Sequence, residues 1–370
     1  MRIVVSDNHP QRLTELRRVL LGEGLTCDSA DAVDFDSLPA RLAEVQPEFV
    51  LIHCDSTQED CFAALRMANS VTAAPILACG EADDSYSIRE AVKAGCREYL
   101  VTERLREELS EAFEKIESQE GLPSQRGPTI ALFSPSGGVG VSTTAVNLAV
   151  RLAKGKPGQV ALIDMKPPPG DLALLLHLEP QHTLDQICRD WQRIDRKTIS
   201  QAVVTHRTGL HVLAQRGYPN QGGLPDNTLS RHAVRQTITL LRRMYATTVL
   251  DLDHAINETQ LEAMRLSTIV AMVVRADVPG LQRARWAMRT IEGFGLGRDR
   301  FRLVLNRFGG KGQIAVAKAE EMLGIEVLQS IPEDRFAVNR AVNQGVPLAE
   351  LSRCSRITRS ISSLARSVQS

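Results

Sequence analysis

A glycine-rich segment at residues 131–144 constrains the fold of this chain more than any other feature: Ala-Leu-Phe-Ser-Pro-Ser-Gly-Gly-Val-Gly-Val-Ser-Thr-Thr. The apolar run over 129–133 predicts a short buried strand, and apolar residues at helical spacing over 144–152 predict a helix. Glycines between them permit a tight turn. In such an arrangement, backbone N–H groups and the helix N-terminus hold phosphate oxygens. The residues predicted to form this phosphate-binding loop are Gly137, Gly138, Val139, Gly140, Val141, Ser142 and Thr143.

Two side chains of the loop add to its backbone contacts. Ser142 is placed to ligate Mg²⁺, and Thr143 is placed to reach an inner phosphate. Neither contact needs a lysine, and the segment contains none. The loop therefore predicts nucleotide binding and argues against efficient catalysis.

Length and composition limit the remaining possibilities. A chain of 370 residues predicts two domains. Lys plus Arg equals Asp plus Glu at 44 each, so no overall charge directs the molecule to nucleic acid or to an anionic membrane. No apolar run approaches the roughly 20 residues of a membrane span, and the first five residues do not form a secretory signal. A cytoplasmic protein is expected. Its seven cysteines lack Cys-x-x-Cys spacing, which favours buried free thiols.

Residues 117–127 are polar and rich in Gly and Pro, which predicts a linker between a domain at 1–116 and a domain at 128–370. Strand-like and helix-like runs alternate in both, so the predicted fold class is α/β, with a small parallel sheet followed by a larger doubly wound sheet. Predicted strands are 2–6, 49–53, 75–79 and 98–101, then 129–133, 160–163, 211–214, 247–250, 269–274, 302–305 and one near Val327. Predicted helices of the first domain are 11–21, 38–44, 87–93 and 104–116.

Polar residues follow the predicted strands of the first domain. This region resembles the receiver domain of response regulators, where an acidic pair, a phosphoacceptor Asp and a Lys hold Mg²⁺ and a phosphoryl group. Here one acid, Asp7, is present, while His53 stands at the acceptor position and Thr102 at the lysine position. Asp55 as a displaced acceptor is the weaker alternative. The resemblance implies a flavodoxin-like pseudo-receiver that lacks the phosphoacceptor Asp and serves for contacts, with His53 a packed or solvent-facing residue.

The second domain resembles the ParA/MinD group of P-loop ATPases over about residues 128–368. Their loop reads Lys-Gly-Gly-x-Gly-Lys-[Ser/Thr], and here Ser136 and Val141 replace the two lysines. The family's Asp-x-Asp motif keeps Asp164 but has Lys166 at its second, water-positioning Asp. Because the charges that stabilise phosphoryl transfer are missing, we assign no catalytic residue and expect an inefficient ATPase.

Lys166 has two interpretations. We favour a solvated lysine that the following prolines, 167–169, hold away from the loop. The alternative is that Lys166 supplies the missing positive charge to the phosphates.

The resemblance also implies ATP and Mg²⁺ as ligands. The Mg²⁺ ligands would be Ser142, Asp164 and Asp251, the last at the end of an apolar strand, where the alternative is a carboxylate that caps a turn. The places that hold adenine in the family carry Asn306, Arg307 and Pro332. A side-chain amide and an apolar wall suit a base. The alternative is an Asn that caps a strand and a Pro that ends a loop.

The order of several segments is similar to that of the TadZ or CpaE family of pilus-assembly proteins, which also join a degenerate receiver to a ParA/MinD-like domain. These segments are 162–176, 209–214, 304–307, 331–334 and 341–348. The resemblance implies a homodimeric cytoplasmic localisation factor for the tight-adherence (Tad) type IV pilus, placed at a cell pole. Its partners would be pilus and secretion components at the cytoplasmic face of the inner membrane.

Two basic segments leave other partners open. Residues 356–368 form a basic amphipathic pattern, for which we favour a packed terminal helix over direct membrane contact. The arginines of 231–243 could contact DNA, but a solvated helix face is favoured over nucleic-acid binding. The favoured function is a scaffold that binds ATP weakly or structurally with little or no hydrolysis. The alternative is an active ParA/MinD-type ATPase switch on DNA or membrane.

Overall fold

The computed structural model describes residues 2–23, 25, 27–45, 47–55, 59–120, 127–189, 191–217, 229–352 and 355–369. The chain divides into two compact units, Met1–Gln125 and Arg126–Ser370. The predicted linker at 117–127 overlaps this division, but residues 121–126 lie outside the described part of the chain.

The first unit is a parallel sheet with strand order β2-β1-β3-β4-β5, the order of flavodoxin-like folds. Its strands are β1 (Ile3–Ser6), β2 (Ala32–Val33), β3 (Phe49–His53), β4 (Ile76–Gly80) and β5 (Glu98–Val101). Its helices are α1 (Pro10–Gly22), α2 (Leu38–Glu44), α3 (Asp60–Val71), α4 (Ser85–Lys93) and α5 (Leu105–Glu120), with 3₁₀ turns at Ser29–Asp31 and Thr102–Arg104.

Alternation along the strands divides the apolar residues of this unit between two cores. Ile3 and Val5 belong to one core, and Val4 belongs to the core on the opposite face of the sheet. Both faces are therefore covered, which explains why the strands read as continuous apolar runs.

Two elements of this unit, β2 and α3, and the end of α5 differ from the sequence predictions. Strand β2 has only two residues, and α3 buries small or sulfur-containing side chains such as Cys61, Ala64 and Ala68, which give a weak amphipathic pattern. Helix α5 continues to Glu120, so the first four residues assigned to the linker, 117–120, are helical.

The second unit is an eight-stranded sheet with strand order β13-β12-β11-β6-β10-β7-β9-β8, parallel except for β8. Its strands are β6 (Thr129–Phe133), β7 (Val160–Asp164), β8 (Val204–Thr205), β9 (His211–Leu213), β10 (Thr247–Asp251), β11 (Ile269–Arg275), β12 (Phe301–Phe308) and β13 (Val327–Pro332). The predicted α/β class, with two parallel sheets, is confirmed.

Helices cover both faces of this sheet. They are α6 (Val141–Ala153), α7 (Leu172–Leu175), α8 (Leu184–Cys188), α9 (Arg196–Ala202), α10 (Arg231–Met244), α11 (Glu258–Arg265), α12 (Val278–Gly293), α13 (Val316–Leu323), α14 (Arg335–Gln344), α15 (Leu348–Leu351) and α16 (Arg356–Ser367), with 3₁₀ turns at Trp191–Arg193 and Arg298–Arg300. Throughout the described ranges, each helix is too short or too polar to cross a bilayer. All six cysteines in those ranges are buried and unbridged, while Cys354 lies outside them.

The register of three neighbouring strands places the functional residues. Strand β10 lies between β6 and β7, and Asp251 on β10 is the direct partner of Asp164 on β7. All three strands are parallel, so their carboxyl ends meet at one edge of the sheet. The glycine loop after β6 therefore starts beside both carboxylates.

The two basic helices, α16 and α10, both make contacts within the second unit. The apolar stripe of α16, including Ile357, Ile361 and Leu364, is buried against the core that α6 and β13 share, as the packed-helix interpretation predicted. On α10, Arg231 and Arg235 bond to the fully buried carboxylate of Glu262 at 2.9 and 2.7 Å. These two arginines are thus engaged with protein rather than fully solvated.

We expect Glu262→Ala to lower the free energy of unfolding of the second unit by about 2 kcal/mol, because partly exposed arginines would lose a buried, charged acceptor. Both tryptophans, Trp191 and Trp286, lie in this unit, so tryptophan fluorescence during urea unfolding reports on it. Glu258→Ala, an exposed glutamate of the same helix, is the control. Equal stability of the two variants would contradict this role of Glu262.

Candidate functional site

The phosphate-binding loop leads directly into helix α6. Gly140 precedes this helix with a φ of 97°, and Gly138 has a φ of 72°, conformations that side chains other than Gly rarely adopt. A Cβ on Gly140 would also lie 2.6 Å from the side-chain nitrogen of Asn306. The glycines thus allow a tight turn of the loop at the N-terminus of α6. The positive end of the helix dipole lies there and favours binding of an anion.

Two residues predicted to hold adenine also fasten this loop. Asn306 Nδ2 donates to the carbonyl oxygen of Val139 at 2.7 Å, and Arg307 Nη2 donates to that of Gly138 at 3.0 Å. Arg307 has a φ of 53°, and its N–H donates to Asn306 Oδ1 at 2.9 Å. No local pattern indicated this role, because the bonded residues lie more than 160 positions apart in the chain.

A cavity of about 280 Å³ lies beside the loop where the base was predicted. Asn306, Arg307 and Pro332 all line it. The lining residues that sequence reasoning missed come mainly from α14 and α16: Arg335, Val338, Asn339, Ile357 and Ile361. Apolar walls with a few polar groups are typical of a small-molecule pocket.

A second cavity of about 580 Å³ runs along the loop. It is lined by all the predicted phosphate-binding residues except Val139, which is buried beneath the loop. The two cavities share Gly140, Thr143 and Arg307 in their linings. The cavity at the predicted base position therefore adjoins the cavity at the predicted phosphate position.

Lys166 contacts the predicted phosphate-binding loop, which corrects the interpretation that prolines 167–169 hold it away. Its Nζ donates to Ser142 Oγ and lies 2.9 Å from Asp251 Oδ2. The side chain is 20% exposed, so it is not a freely solvated lysine. Lys166 lines the larger cavity, whereas Asp164 and Asp251 line neither cavity and are almost fully buried.

Two buried glutamines hold the backbone of Lys166 in this position. Gln215 Nε2 donates to the carbonyl oxygen of Lys166 at 2.8 Å, and Gln260 Nε2 donates to that of Met165 at the same distance. The N–H of Lys166 donates to Asp164 Oδ1 at 3.3 Å. Because both glutamines are remote in sequence, the motif alone could not reveal them.

Burial and charge set the ionisation of this cluster. Burial, and then the Asp251 carboxylate, raise the pKa of Asp164 to about 7. Burial also raises the pKa of Asp251, although Lys166 and Ser142 act in the opposite direction. Burial acts to lower the pKa of Lys166, but Asp251 and then Asp164 outweigh it, so this pKa is raised. Lys166 is therefore a charged ammonium at neutral pH.

Other positive charges also approach the loop from outside its own segment. Arg307 bonds to Gly138, as described above, and Arg283 Nη1 lies 3.5 Å from the hydroxyl of Ser136, which stands at the family's first lysine position. The loop thus has nearby cations even though its own lysines are absent.

In the first unit, the receiver-like position is filled by an internal ion-pair cluster. Arg12 Nε lies 2.9 Å from Asp7 Oδ2, and the same oxygen lies 3.3 Å from His53 Nδ1. Asp55 Oδ2 is 3.5 Å from Arg12. His53 is 6% exposed, and burial lowers its pKa despite the opposing charge of Asp7. The histidine is thus packed rather than solvent-facing, and Arg12 neutralises the carboxylates around it.

Comparison with known proteins relates the second unit to one family. The family model described as the CobQ/CobB/MinD/ParA nucleotide binding domain matches residues 130–348. Similar solved structures include a ParA family ATPase from Chlorobium tepidum, 20% identical with a TM-score of 0.59, which covers 66% of this chain and 99% of its own.

Two archaeal proteins share the fold. The cell-division ATPase MinD from Pyrococcus furiosus is 20% identical, with a TM-score of 0.56 over 66% of this chain and 98% of its own. MinD from Pyrococcus horikoshii, solved with Mg-ADP, is 18% identical, with a TM-score of 0.55 over 65% of this chain and 94% of its own. No curated protein sequence matches this chain significantly.

We expect Gly140→Ala to lower the free energy of unfolding by about 2 kcal/mol, because alanine is strained at this φ and its Cβ would meet Asn306. Tryptophan fluorescence during urea unfolding of the ligand-free protein provides the measurement. Gly137→Ala is the matched control in the same loop, since its Cβ would meet open space, and it should change stability by less than about 0.5 kcal/mol. Equal effects would mean that the loop does not have this conformation.

Proposed function

The chain belongs to the CobQ/CobB/MinD/ParA nucleotide-binding family, and from that premise we propose that its second unit binds ATP with little or no hydrolysis and acts as a scaffold. One observation carries this proposal. The loop keeps its glycine-dependent backbone at the start of α6 and adjoins two connected cavities, while the side chains that drive hydrolysis are replaced.

The arrangement of the cavities supports a nucleoside triphosphate as the ligand. Phosphates would lie against the N–H groups of residues 138–143, with the base between Asn306 and Pro332 in the smaller cavity. Ile357 and Ile361 of α16 supply further apolar surface to that cavity. Asn306 links the proposed base pocket to the loop, because it lines the smaller cavity and donates a hydrogen bond to the carbonyl oxygen of Val139.

Low turnover follows from three replaced positions. Ser136 and Val141 supply no positive charge, and an ammonium replaces the carboxylate that would position the attacking water. The ammonium of Lys166, which is bonded to Ser142 and paired with Asp251, has no lone pair and therefore cannot accept a hydrogen bond from an attacking water. Catalysis would then lack both charge stabilisation and an oriented nucleophile.

The biological setting is proposed from the order of domains. A flavodoxin-like unit with a degenerate receiver site precedes the nucleotide-binding unit, which supports a TadZ/CpaE-like localisation factor for Tad pilus assembly. In this proposal the protein is a cytoplasmic homodimer at a cell pole, and it recruits pilus components at the inner membrane. The first unit would provide a contact surface because Arg12 occupies its acidic site.

The contact between Lys166 and the loop favours a second candidate, an active ATPase switch. A cation at this place could supply part of the charge that the loop lysines would have supplied. If so, removal of Lys166 would abolish turnover.

Calorimetric titration with ATP, light scattering for mass and a phosphate-release assay together test the proposed function. We expect saturable binding by the full chain with no phosphate release above background. Gly140→Ala should lose binding because its loop is distorted, while Lys156→Ala, an exposed lysine, should behave as the wild type. Turnover at a rate typical of ATPases of this family, lost in Lys166→Ala, would establish the switch instead.

A further inference from the structure

The residues predicted to hold Mg²⁺ do not fit a divalent ion in the described arrangement. P-loop ATPases hold Mg²⁺ with the loop Ser or Thr and with the Asp that ends the neighbouring strand, here Ser142 and Asp251. The ammonium of Lys166 contacts both of these residues. Mg²⁺ needs near-octahedral oxygen ligands at about 2.0–2.1 Å, so the ammonium and the ion cannot share these oxygens.

Asp164, the third residue predicted to bind Mg²⁺, already accepts hydrogen bonds from the protein. Asp164 accepts hydrogen bonds from the N–H of Lys166 at 3.3 Å and from that of Leu172 at 3.5 Å. Among the described residues, no cluster of three or more His, Cys, Asp or Glu side chains is arranged to hold a metal ion. Both carboxylates are buried and line neither cavity, whereas Lys166 lines the larger one, which a hydrated ion would enter.

We propose that the Lys166 ammonium takes the place of Mg²⁺, so that this unit binds a nucleoside triphosphate without a divalent metal ion. The inference rests on the nucleotide binding proposed above, and it specifies that the nucleotide binds without Mg²⁺.

The donor geometry of lysine supports this assignment. An ammonium has three N–H groups and no acceptor. The ammonium donates to Ser142 Oγ and lies 2.9 Å from Asp251 Oδ2, so even with both contacts one N–H remains for a phosphate oxygen. Lys166 lines the larger cavity together with Ser142 and Thr143, so the ammonium has access to the space beside the loop.

The position of the ammonium is fixed by its surroundings rather than by chance packing. The carbonyl oxygen of Lys166 accepts from Gln215, whose own Oε1 accepts from the backbone N–H of Asp185 at 3.0 Å. Gln215 and Asp185 are fully buried. This support fixes the backbone of Lys166, while Ser142 and Asp251 hold its ammonium, so the side chain has little freedom left to lose on binding phosphate.

The charge of the ammonium explains why we expect this site to act differently on a bound triphosphate than a site that holds Mg²⁺. The ammonium brings one positive charge where Mg²⁺ would bring two, and it donates hydrogen bonds instead of binding two phosphates as shared ligands. Such a site can hold a triphosphate but polarises it less, in agreement with little or no hydrolysis.

The test compares ATP titrations of the full chain by calorimetry in excess EDTA and in excess Mg²⁺. We expect wild-type Kd values that agree within about threefold in the two conditions. Lys166→Met keeps the length of the side chain but removes its charge. In EDTA this variant should bind ATP about 10- to 100-fold more weakly, the effect of a lost charge-assisted hydrogen bond. Mg²⁺ should restore part of its affinity, because Ser142 and Asp251 are freed.

Lys156→Met, at an exposed position, is the matched control and should retain wild-type binding in both conditions. Wild-type binding at least tenfold tighter in Mg²⁺ than in EDTA, or wild-type affinity of Lys166→Met in EDTA, overturns this inference but leaves nucleotide binding intact. No binding in either condition overturns the proposed function itself. Should Lys166→Met fail to fold, the two wild-type titrations decide the question alone.

Discussion

The site depends on the parallel register of three adjacent strands, β6, β10 and β7. This register brings Asp164 and Asp251 level with each other and starts the glycine loop beside them. Two carboxylates buried side by side at a sheet edge are costly unless a cation or a proton compensates them. Lys166 provides that compensation, and its contact with Ser142 links the carboxylates to the loop. The same contact thus stabilises the site and, in our proposal, takes the place of a divalent ion.

Local sequence patterns predicted most of the fold. Continuous apolar runs identified the central strands because both sheets are covered on both faces. The glycine-rich pattern identified the loop because Gly138 and Gly140 adopt positive φ angles that favour glycine. The pattern failed for β2 and β8, which have two residues each, and for α3, most of whose buried side chains are small. These elements depend on tertiary packing rather than on a strong local signal.

Sequence patterns identified some of the residues that line the two cavities but not the contacts between them. Asn306, Arg307 and Pro332 do line one cavity, yet the bonds from Asn306 and Arg307 to the loop join residues far apart in sequence. The place of Lys166 was predicted wrongly because Gln215, which holds its carbonyl oxygen, belongs to no motif. In the first unit, Arg12 fills the acidic site from a helix, again a contact that strand-end residues cannot reveal.

A crystal structure of the full chain with ATP, grown in EDTA, tests the central claim most directly. The account predicts a triphosphate against the N–H groups of residues 138–143, with the Lys166 ammonium still bonded to Ser142 and Asp251 and within hydrogen-bond distance of a phosphate oxygen. A triphosphate bound elsewhere would contradict it. So would a structure grown with Mg²⁺ in which the ion lies between Ser142 and Asp251 and Lys166 has moved away.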